Sequence, residues 1–186
     1  MSRSPPTRYP LPLRVLHWGL AFLLVVQFVL GLAAEHCTTR TISEALLVVH
    51  FRLGVLILGA MLVRLALRLV LPVPKEHLSR WRRNAKGSVH GLLYLLVLAL
   101  PISGHVIWVW MGADRTLVAG IQMPALFTPP NEENGRAVVW YVHVYGAWAL
   151  LGVVCLHATA AGLLSMREPA FIARRIGFGR GRPQSD

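Results

Sequence analysis

The chain has 186 residues, of which 55% are hydrophobic, and it nevertheless carries a formal net charge of +11. Together with a mean hydropathy of +0.54, this excludes an ordinary soluble domain and is typical of a membrane protein whose basic residues lie in its loops. The arginines border long apolar runs and are not interleaved with polar or aromatic residues, which excludes nucleic acid as a partner and favours the lipid bilayer.

Four apolar runs are each long enough to cross a hydrocarbon core of about 30 Å. They cover residues 15–34, 45–71, 88–111 and 138–164. The first follows three arginines, as the core of a signal peptide would, but at about 20 residues it exceeds a typical signal-peptide core, and we expect it to remain as a span. The predicted fold class is all-α, with residues 1–186 forming a single integral-membrane four-helix bundle.

The distribution of lysine and arginine predicts the orientation. Fifteen of the 19 basic residues lie toward the side that holds the two termini and the connection between the second and third runs. The positive-inside rule therefore predicts cytoplasmic termini in a multi-pass protein of the bacterial inner membrane. In the last connection, residues 117–127 are apolar but interrupted by Gly120 and Pro124, and we expect them to lie flat at the periplasmic interface.

Two histidines of the last run share one helix face. His143 and His157 are fourteen residues apart, which on an α-helix is about 3.9 turns and roughly 21 Å of rise. Ionisable side chains inside an apolar span indicate a functional site. Neutral imidazole is a ligand of haem iron, and a bis-histidine haem needs a second ring from a facing helix. The last helix is therefore predicted to give one axial ligand to each of two haem b groups in the bundle core.

Depth in the membrane predicts the partner rings. Successive helices run in opposite directions, so His17 lies at the cytoplasmic level together with His157. By the same argument His50 lies at the periplasmic level together with His143. The four rings are predicted to be axial ligands of two haem irons.

The third run adds one histidine to each level, His90 and His105. A porphyrin lying across a helix needs a small side chain on the neighbouring turn. Tyr94 and Val109 follow His90 and His105 by four residues, whereas small residues follow the four paired histidines: Ala21, Gly54, Ala147 and Ala161. The third helix is therefore predicted to flank the haems, with His90 a candidate for a hydrogen bond to a propionate or quinone, or for proton delivery. Two further histidines are predicted to lie in solvated loops, His36 and His77.

Haem propionates need cationic partners at the rim of the membrane. Arg52 lies two residues after His50, and Arg64 lies fourteen residues after it, at the cytoplasmic level. Both are predicted to contact propionates, whereas Arg14 is explained equally well as an interfacial anchor. Three more basic residues are predicted to attract an anionic donor at the periplasmic face, although acidic residues there offset their charge: Arg40, Arg115 and Arg136.

Several motifs together resemble the bacterial cytochrome b561 family. They are Arg14-Val-Leu-His17-Trp18, His50 with the later Met61-Leu-Val-Arg64-Leu-Ala-Leu-Arg68 and Pro72, Ala99-Leu-Pro101-Ile-Ser-Gly104, His143, and Leu156-His157-Ala158. The resemblance extends over essentially the whole chain. It implies a four-helix bundle that holds two b-type haems with the same pairing of histidines.

Within this family the four-helix form is similar to the superoxide-oxidase type. That similarity implies an oxidoreductase that takes electrons from superoxide at the periplasmic face and passes them to ubiquinone. An alternative is a haem-bearing docking subunit for a periplasmic redox protein, such as a dehydrogenase or a hydrogenase-like partner. A third hypothesis is a divalent-metal transporter with histidine-lined sites, although the four runs contain no aspartate or glutamate.

Overall fold

Four long α-helices make up the computed structural model, which describes residues 8–74, 79–117, 120–168 and 177. The helices are α1 (Leu11–His36), α2 (Arg40–Val70), α3 (Arg80–Trp110) and α4 (Glu133–Arg167). The shortest has 26 residues and is therefore about 39 Å long. All four are long and apolar enough to cross a membrane. The predicted all-α membrane fold with four spans is confirmed.

Prolines and a short turn set several of the helix ends. Pro10 precedes α1, and Pro12 lies in its first turn, where the missing N–H has no intrahelical partner in any case. Residues 37–39 join α1 to α2, and across this turn Ser43 Oγ donates to the carbonyl of Ala34 at 2.8 Å. A connection this short makes the two helices antiparallel neighbours. Pro72 follows α2 closely and cannot continue it.

The helices pack in chain order around an apolar layer at mid-bundle. α1 packs against α2, α2 against α3 and α3 against α4, while Phe28 of α1 meets Trp148 of α4 with ring centroids 5.1 Å apart. The layer takes one or two buried residues from each helix: Leu20, Ile57, Met61, Val97 and Leu150. On α4, Leu150 is seven residues from both His143 and His157. The layer therefore separates the two histidine levels.

The outer surface of the bundle is apolar as well. Phe22 is 67% exposed, Leu69 81% and Leu95 63%. In water such side chains would be an aggregation hazard, whereas lipid tails solvate them. The distribution agrees with a multi-pass membrane protein.

The connection between α3 and α4, residues 111–132, is fastened to the end of the bundle that carries His50 and His143. Thr116 and Gln122 form an isolated antiparallel bridge, and Gly120 beside it has a φ of +81°, a conformation that favours glycine. Side-chain hydrogen bonds tie the connection to the helices, among them Trp108 Nε1 to the Asp114 carbonyl at 3.1 Å, Arg52 Nε to the Thr116 carbonyl at 2.8 Å, the Leu126 N–H to His105 Nε2 at 3.2 Å, and Arg136 Nε to the Pro130 carbonyl at 2.9 Å.

Replacing Ile57, which is 1% exposed, with alanine is expected to lower the free energy of unfolding by about 2–5 kcal/mol, because the cavity removes packing contacts at the centre of the bundle. Thermal unfolding in detergent measures the loss. Leu69→Ala, at an 81% exposed position, is the control and should be nearly neutral. Equal losses in the two variants would contradict this placement of the core.

Replacing His105 with leucine is expected to loosen the α3–α4 connection, because the Leu126 N–H loses its acceptor. One hydrogen bond contributes about 1 kcal/mol, so amide hydrogen exchange around residue 126 should accelerate about fivefold. His36→Leu is the control, since the exposed His36 ring bonds the carbonyl of Leu32 on its own helix, at 2.9 Å. Unchanged exchange in His105→Leu would show that this bond does not hold the connection.

Candidate functional site

The His50 and His143 rings face each other across the bundle core. Their centroids are 6.1 Å apart and their planes meet at 75°. Two imidazoles bound on opposite sides of one metal atom, each at about 2.0 Å through a ring nitrogen, have centroids about 6 Å apart. The separation therefore fits a single metal atom held between α2 and α4.

A carbonyl and a glycine of α1 hold the His50 ring. Its Nδ1 lies 3.1 Å from the carbonyl oxygen of Gln27, and a Cβ at Gly31 would lie 3.2 Å from its Cε1. Helical Cβ atoms lean toward the N-terminus, so a side chain at residue 31 would crowd a ring that bonds the carbonyl of residue 27. Because a carbonyl only accepts, Nδ1 carries the proton and Nε2 keeps its lone pair for a metal.

The same arrangement holds His143 on α3. Its Nδ1 lies 3.1 Å from the carbonyl oxygen of Leu100 and 3.0 Å from Oγ of Ser103, whose hydroxyl donates to that carbonyl at 2.9 Å. A Cβ at Gly104 would lie 2.9 Å from Cε1 of His143, which is closer than side-chain carbons come. The His143 ring is therefore held by three residues of the 99–104 motif: Leu100, Ser103 and Gly104.

A second imidazole pair lies at the other end of the bundle. The ring centroids of His17 and His157 are 6.2 Å apart, which also fits one shared metal atom. His90 of α3 approaches His157 more closely, at 5.2 Å, and its Nδ1 donates to the carbonyl of Lys86 at 2.8 Å. Within the described residues, no hydrogen bond fixes the ring of His17 or of His157.

Arg64 of α2 lies at the level of His17 and His157. Its Nη1 donates to the hydroxyl of Tyr94 at 2.7 Å, and it is close enough to act electrostatically on His17, His90 and His157. Its Nε is buried and has no hydrogen-bond partner in the described part of the chain. The guanidinium therefore retains a donor for an anion.

Arg52 contacts the α3–α4 connection, where its Nη2 lies 3.7 Å from Oδ2 of Asp114. The hydroxyl and the backbone N–H of Thr116 donate to the Asp114 carboxylate at 2.7 and 3.0 Å. These two hydrogen bonds hold the pKa of Asp114 below its usual range. The carboxylate stays charged and competes with any other anion for Arg52.

His105 is engaged elsewhere than with the His50 and His143 rings. It is 6% exposed and packs against Trp108 and Phe127, with ring centroids 6.3 and 6.1 Å away. Its Nε2 accepts the backbone N–H described above and is therefore occupied. No role for this histidine was predicted from the sequence, whereas in the structure it anchors the α3–α4 connection.

Sequence analysis missed the polar groups that orient the rings. Gln27 is one of them, since its carbonyl accepts from the His50 ring and its Nε2 donates to the backbone carbonyl of His50 at 2.9 Å. A lone amide inside an otherwise apolar run was the available signal. Ser103 stood in a recognised motif without an assigned role.

Two further sequence expectations concern bare metal ions and loop histidines. Across residues 8–74, 79–117, 120–168 and 177, no cluster of three or more histidine, cysteine, aspartate or glutamate side chains could hold a metal ion. His36 is exposed. His77 lies outside the described residues, as do Arg3, Lys75 and four of the C-terminal arginines.

Comparison with known proteins identifies the family. Residues 8–179 match the family model of prokaryotic cytochrome b561. The chain is 32% identical over 117 residues to cytochrome b562 of Cereibacter sphaeroides, an alignment that covers 58% of this chain and 73% of that protein. It is 25% identical over 164 residues to cytochrome b561 homolog 2 of Escherichia coli K12, with 85% of each chain covered. The resemblance of the sequence motifs is thereby confirmed: the chain belongs to the prokaryotic cytochrome b561 family and is a multi-pass membrane protein with a haem b electron-transfer role.

Proposed function

We propose that the chain is a dihaem electron conduit, in which His50 and His143 hold one haem b and His17 and His157 hold the other. The observation that carries this proposal is the pair of facing imidazoles at each level, with centroids 6.1 and 6.2 Å apart. When bound, haem iron supplies one-electron chemistry by alternating between its ferric and ferrous states. The chain supplies the axial nitrogens, fixes their orientation, and surrounds them with apolar side chains that exclude water.

Arg64 is the proposed cationic partner of a propionate at the His17 and His157 level. Its buried Nε has a hydrogen bond to give, and the planar guanidinium matches a carboxylate. Arg52 takes the corresponding role at the other level. There the propionate has to compete with Asp114, which already lies 3.7 Å from the guanidinium.

Electrons are proposed to enter at the periplasmic face and to leave to the ubiquinone pool. The positive-inside rule supports this orientation in the bacterial inner membrane, with His50 and His143 toward the periplasm. Because the Nδ1 of His90 donates to the Lys86 carbonyl, the neutral ring keeps the Nε2 lone pair, which can accept a hydrogen bond from a reduced quinone hydroxyl or relay a proton. Arg64 lies near enough to act on His90 and favours an anionic reduced quinone at the same place.

Superoxide is the proposed small anionic donor. Arg40 contributes little to its attraction because it pairs with Glu44 at 2.8 Å. The positive charge at this end comes instead from Arg115 and from Arg136, whose guanidinium carbon lies 5.3 Å from the centroid of the Trp110 ring. These two cations are the residues on which steering of an anion would depend.

A second candidate keeps the haems and replaces superoxide with a periplasmic redox protein. It is favoured by an exposed apolar patch on the α3–α4 connection, where Ile121 is 64% exposed, Leu126 57% and Phe127 44%. A docked partner or the membrane interface would cover such a patch. Reduction of the haems by a co-purifying protein, without reduction by superoxide, would select this candidate.

His143→Ala is expected to lower the haem content from about two per chain to about one, because one iron loses an axial ligand while the other keeps both. The pyridine haemochrome assay measures this. His105→Ala is the matched control, at the same end of the bundle, and should retain both haems. Retention of both haems in His143→Ala would overturn the assignment of that ligand.

Arg136→Gln is expected to slow reduction of the purified protein by superoxide by roughly twofold to fivefold at low ionic strength, because one steering charge is removed. The difference should shrink at high salt, where the charge is screened. Stopped-flow absorbance of the haem measures the rate. Arg82→Gln is the control, because Arg82 lies in the first turn of α3, at the other end of the bundle from Arg136. An equal rate in the wild type and Arg136→Gln would exclude this steering role.

A further inference from the structure

The two imidazole pairs differ in how their rings are held. At His50 and His143, each Nδ1 bonds a backbone carbonyl of the neighbouring helix, both at 3.1 Å. A glycine follows each accepting residue by four positions and meets the ring, with the built Cβ 3.2 Å and 2.9 Å from the imidazole. We call these two arrangements the carbonyl–glycine seats: Gln27 with Gly31, and Leu100 with Gly104.

The seats have further supports that make them built features of the fold. The side chain of Gln27 bonds the backbone of His50 at 2.9 Å while its carbonyl bonds the ring. A Cβ at Gly54 would lie 3.3 Å from the same side chain, so α1 and α2 approach closely here. On α3 the hydroxyl of Ser103, a residue only 8% exposed, bonds both the Leu100 carbonyl and the ring nitrogen.

The other pair lies instead in a positive field. Arg64 acts electrostatically on both His17 and His157, and Lys86 acts on His157 as well. For His50 the corresponding neighbour is His143, another imidazole. The nearest arginine on α2, Arg52, is engaged by Asp114.

We propose that the carbonyl–glycine seats and the Arg64 side chain together make the site of His50 and His143 the lower in reduction potential of the two. The inference rests on the proposed function, since it requires a haem at each pair. An imidazole whose Nδ1–H is given to a carbonyl is a more basic ligand through Nε2, which stabilises ferric iron. A guanidinium close to the other pair stabilises the ferrous form, which carries one positive charge fewer. Both effects act in the same direction.

This order of potentials gives the conduit a direction. An electron delivered at the His50 and His143 end moves downhill toward the His17 and His157 end, where Arg64 and His90 lie. With the proposed orientation, that direction is from the periplasm to the cytoplasmic side.

The test is a spectroelectrochemical titration of the haem-loaded protein in four variants. His143→Ala should retain one haem, and the midpoint that remains should be the higher of the two wild-type values. Gly31→Ala should raise only the lower midpoint, because the new Cβ displaces the His50 ring from the Gln27 carbonyl. Arg64→Gln should lower only the higher midpoint. Gly59→Ala is the matched control, since a Cβ at Gly59 would meet nothing within 4 Å, and it should move neither midpoint.

The possible failures are distinguishable. Two outcomes would overturn the inference and leave the proposed dihaem site intact. One is a Gly31→Ala protein that keeps both haems and shows an unmoved lower midpoint. The other is a His143→Ala protein whose one remaining haem has the lower of the two wild-type midpoints. Wild-type protein that binds fewer than two haems under ample haem supply would overturn the proposed function itself. Haem content is measured on every variant, and a Gly31→Ala protein that keeps both haems and shows the expected shift supports the inference.

Discussion

The close approach of two imidazoles to helix backbones is the constraint on which the rest of this bundle depends. A carbonyl inside an α-helix is shielded by the side chain one turn later, because Cβ atoms lean toward the N-terminus. His50 and His143 each reach such a carbonyl, at 3.1 Å, over a glycine. The hydrogen bond fixes the tautomer, and the tautomer leaves the lone pair of Nε2 available to a metal atom. A methyl group at Gly104 would already disturb this arrangement, because it would lie 2.9 Å from the His143 ring.

The bundle separates two chemical environments along one axis. The mid-bundle layer around Ile57 and Leu150 is apolar and buried, and it lies between the two histidine levels. At one end, backbone carbonyls face the rings, and the cationic Arg52 is drawn outward to the α3–α4 connection. At the other end, the Nε of Arg64 is buried, and the charge of this arginine acts on the imidazoles of His17, His90 and His157. Identical imidazoles therefore lie in different electronic environments, and hydrogen bonding and local charge are the two means by which a protein tunes a bound haem iron.

The α3–α4 connection shows how a histidine in a membrane span can be structural. His105 is buried near the C-terminal end of α3, yet its Nε2 accepts a backbone N–H at 3.2 Å and its ring packs between Trp108 and Phe127. Trp108 in turn donates to the Asp114 carbonyl and stacks on Phe51 with centroids 5.2 Å apart. Phe51, which follows His50 in the chain, is thus connected through Trp108 to the α3–α4 connection.

The sequence by itself determined the four spans, because about 20 consecutive apolar residues have few alternatives to a membrane helix. It also indicated which histidines share a level, because alternating helix directions convert residue number into depth. Only the tertiary structure decided how the rings are held. The Gln27 carbonyl and Gly31 are 23 and 19 residues from His50, and Ser103 is 40 residues from His143. No periodicity within one helix relates such positions, since their contacts arise from how neighbouring helices are rotated and spaced. The two arginines likewise differ through packing between elements. Arg52 is engaged by Asp114, whereas the Nε of Arg64 has no hydrogen-bond partner in the part of the chain that the structure describes. The residue types alone made the two arginines look equivalent.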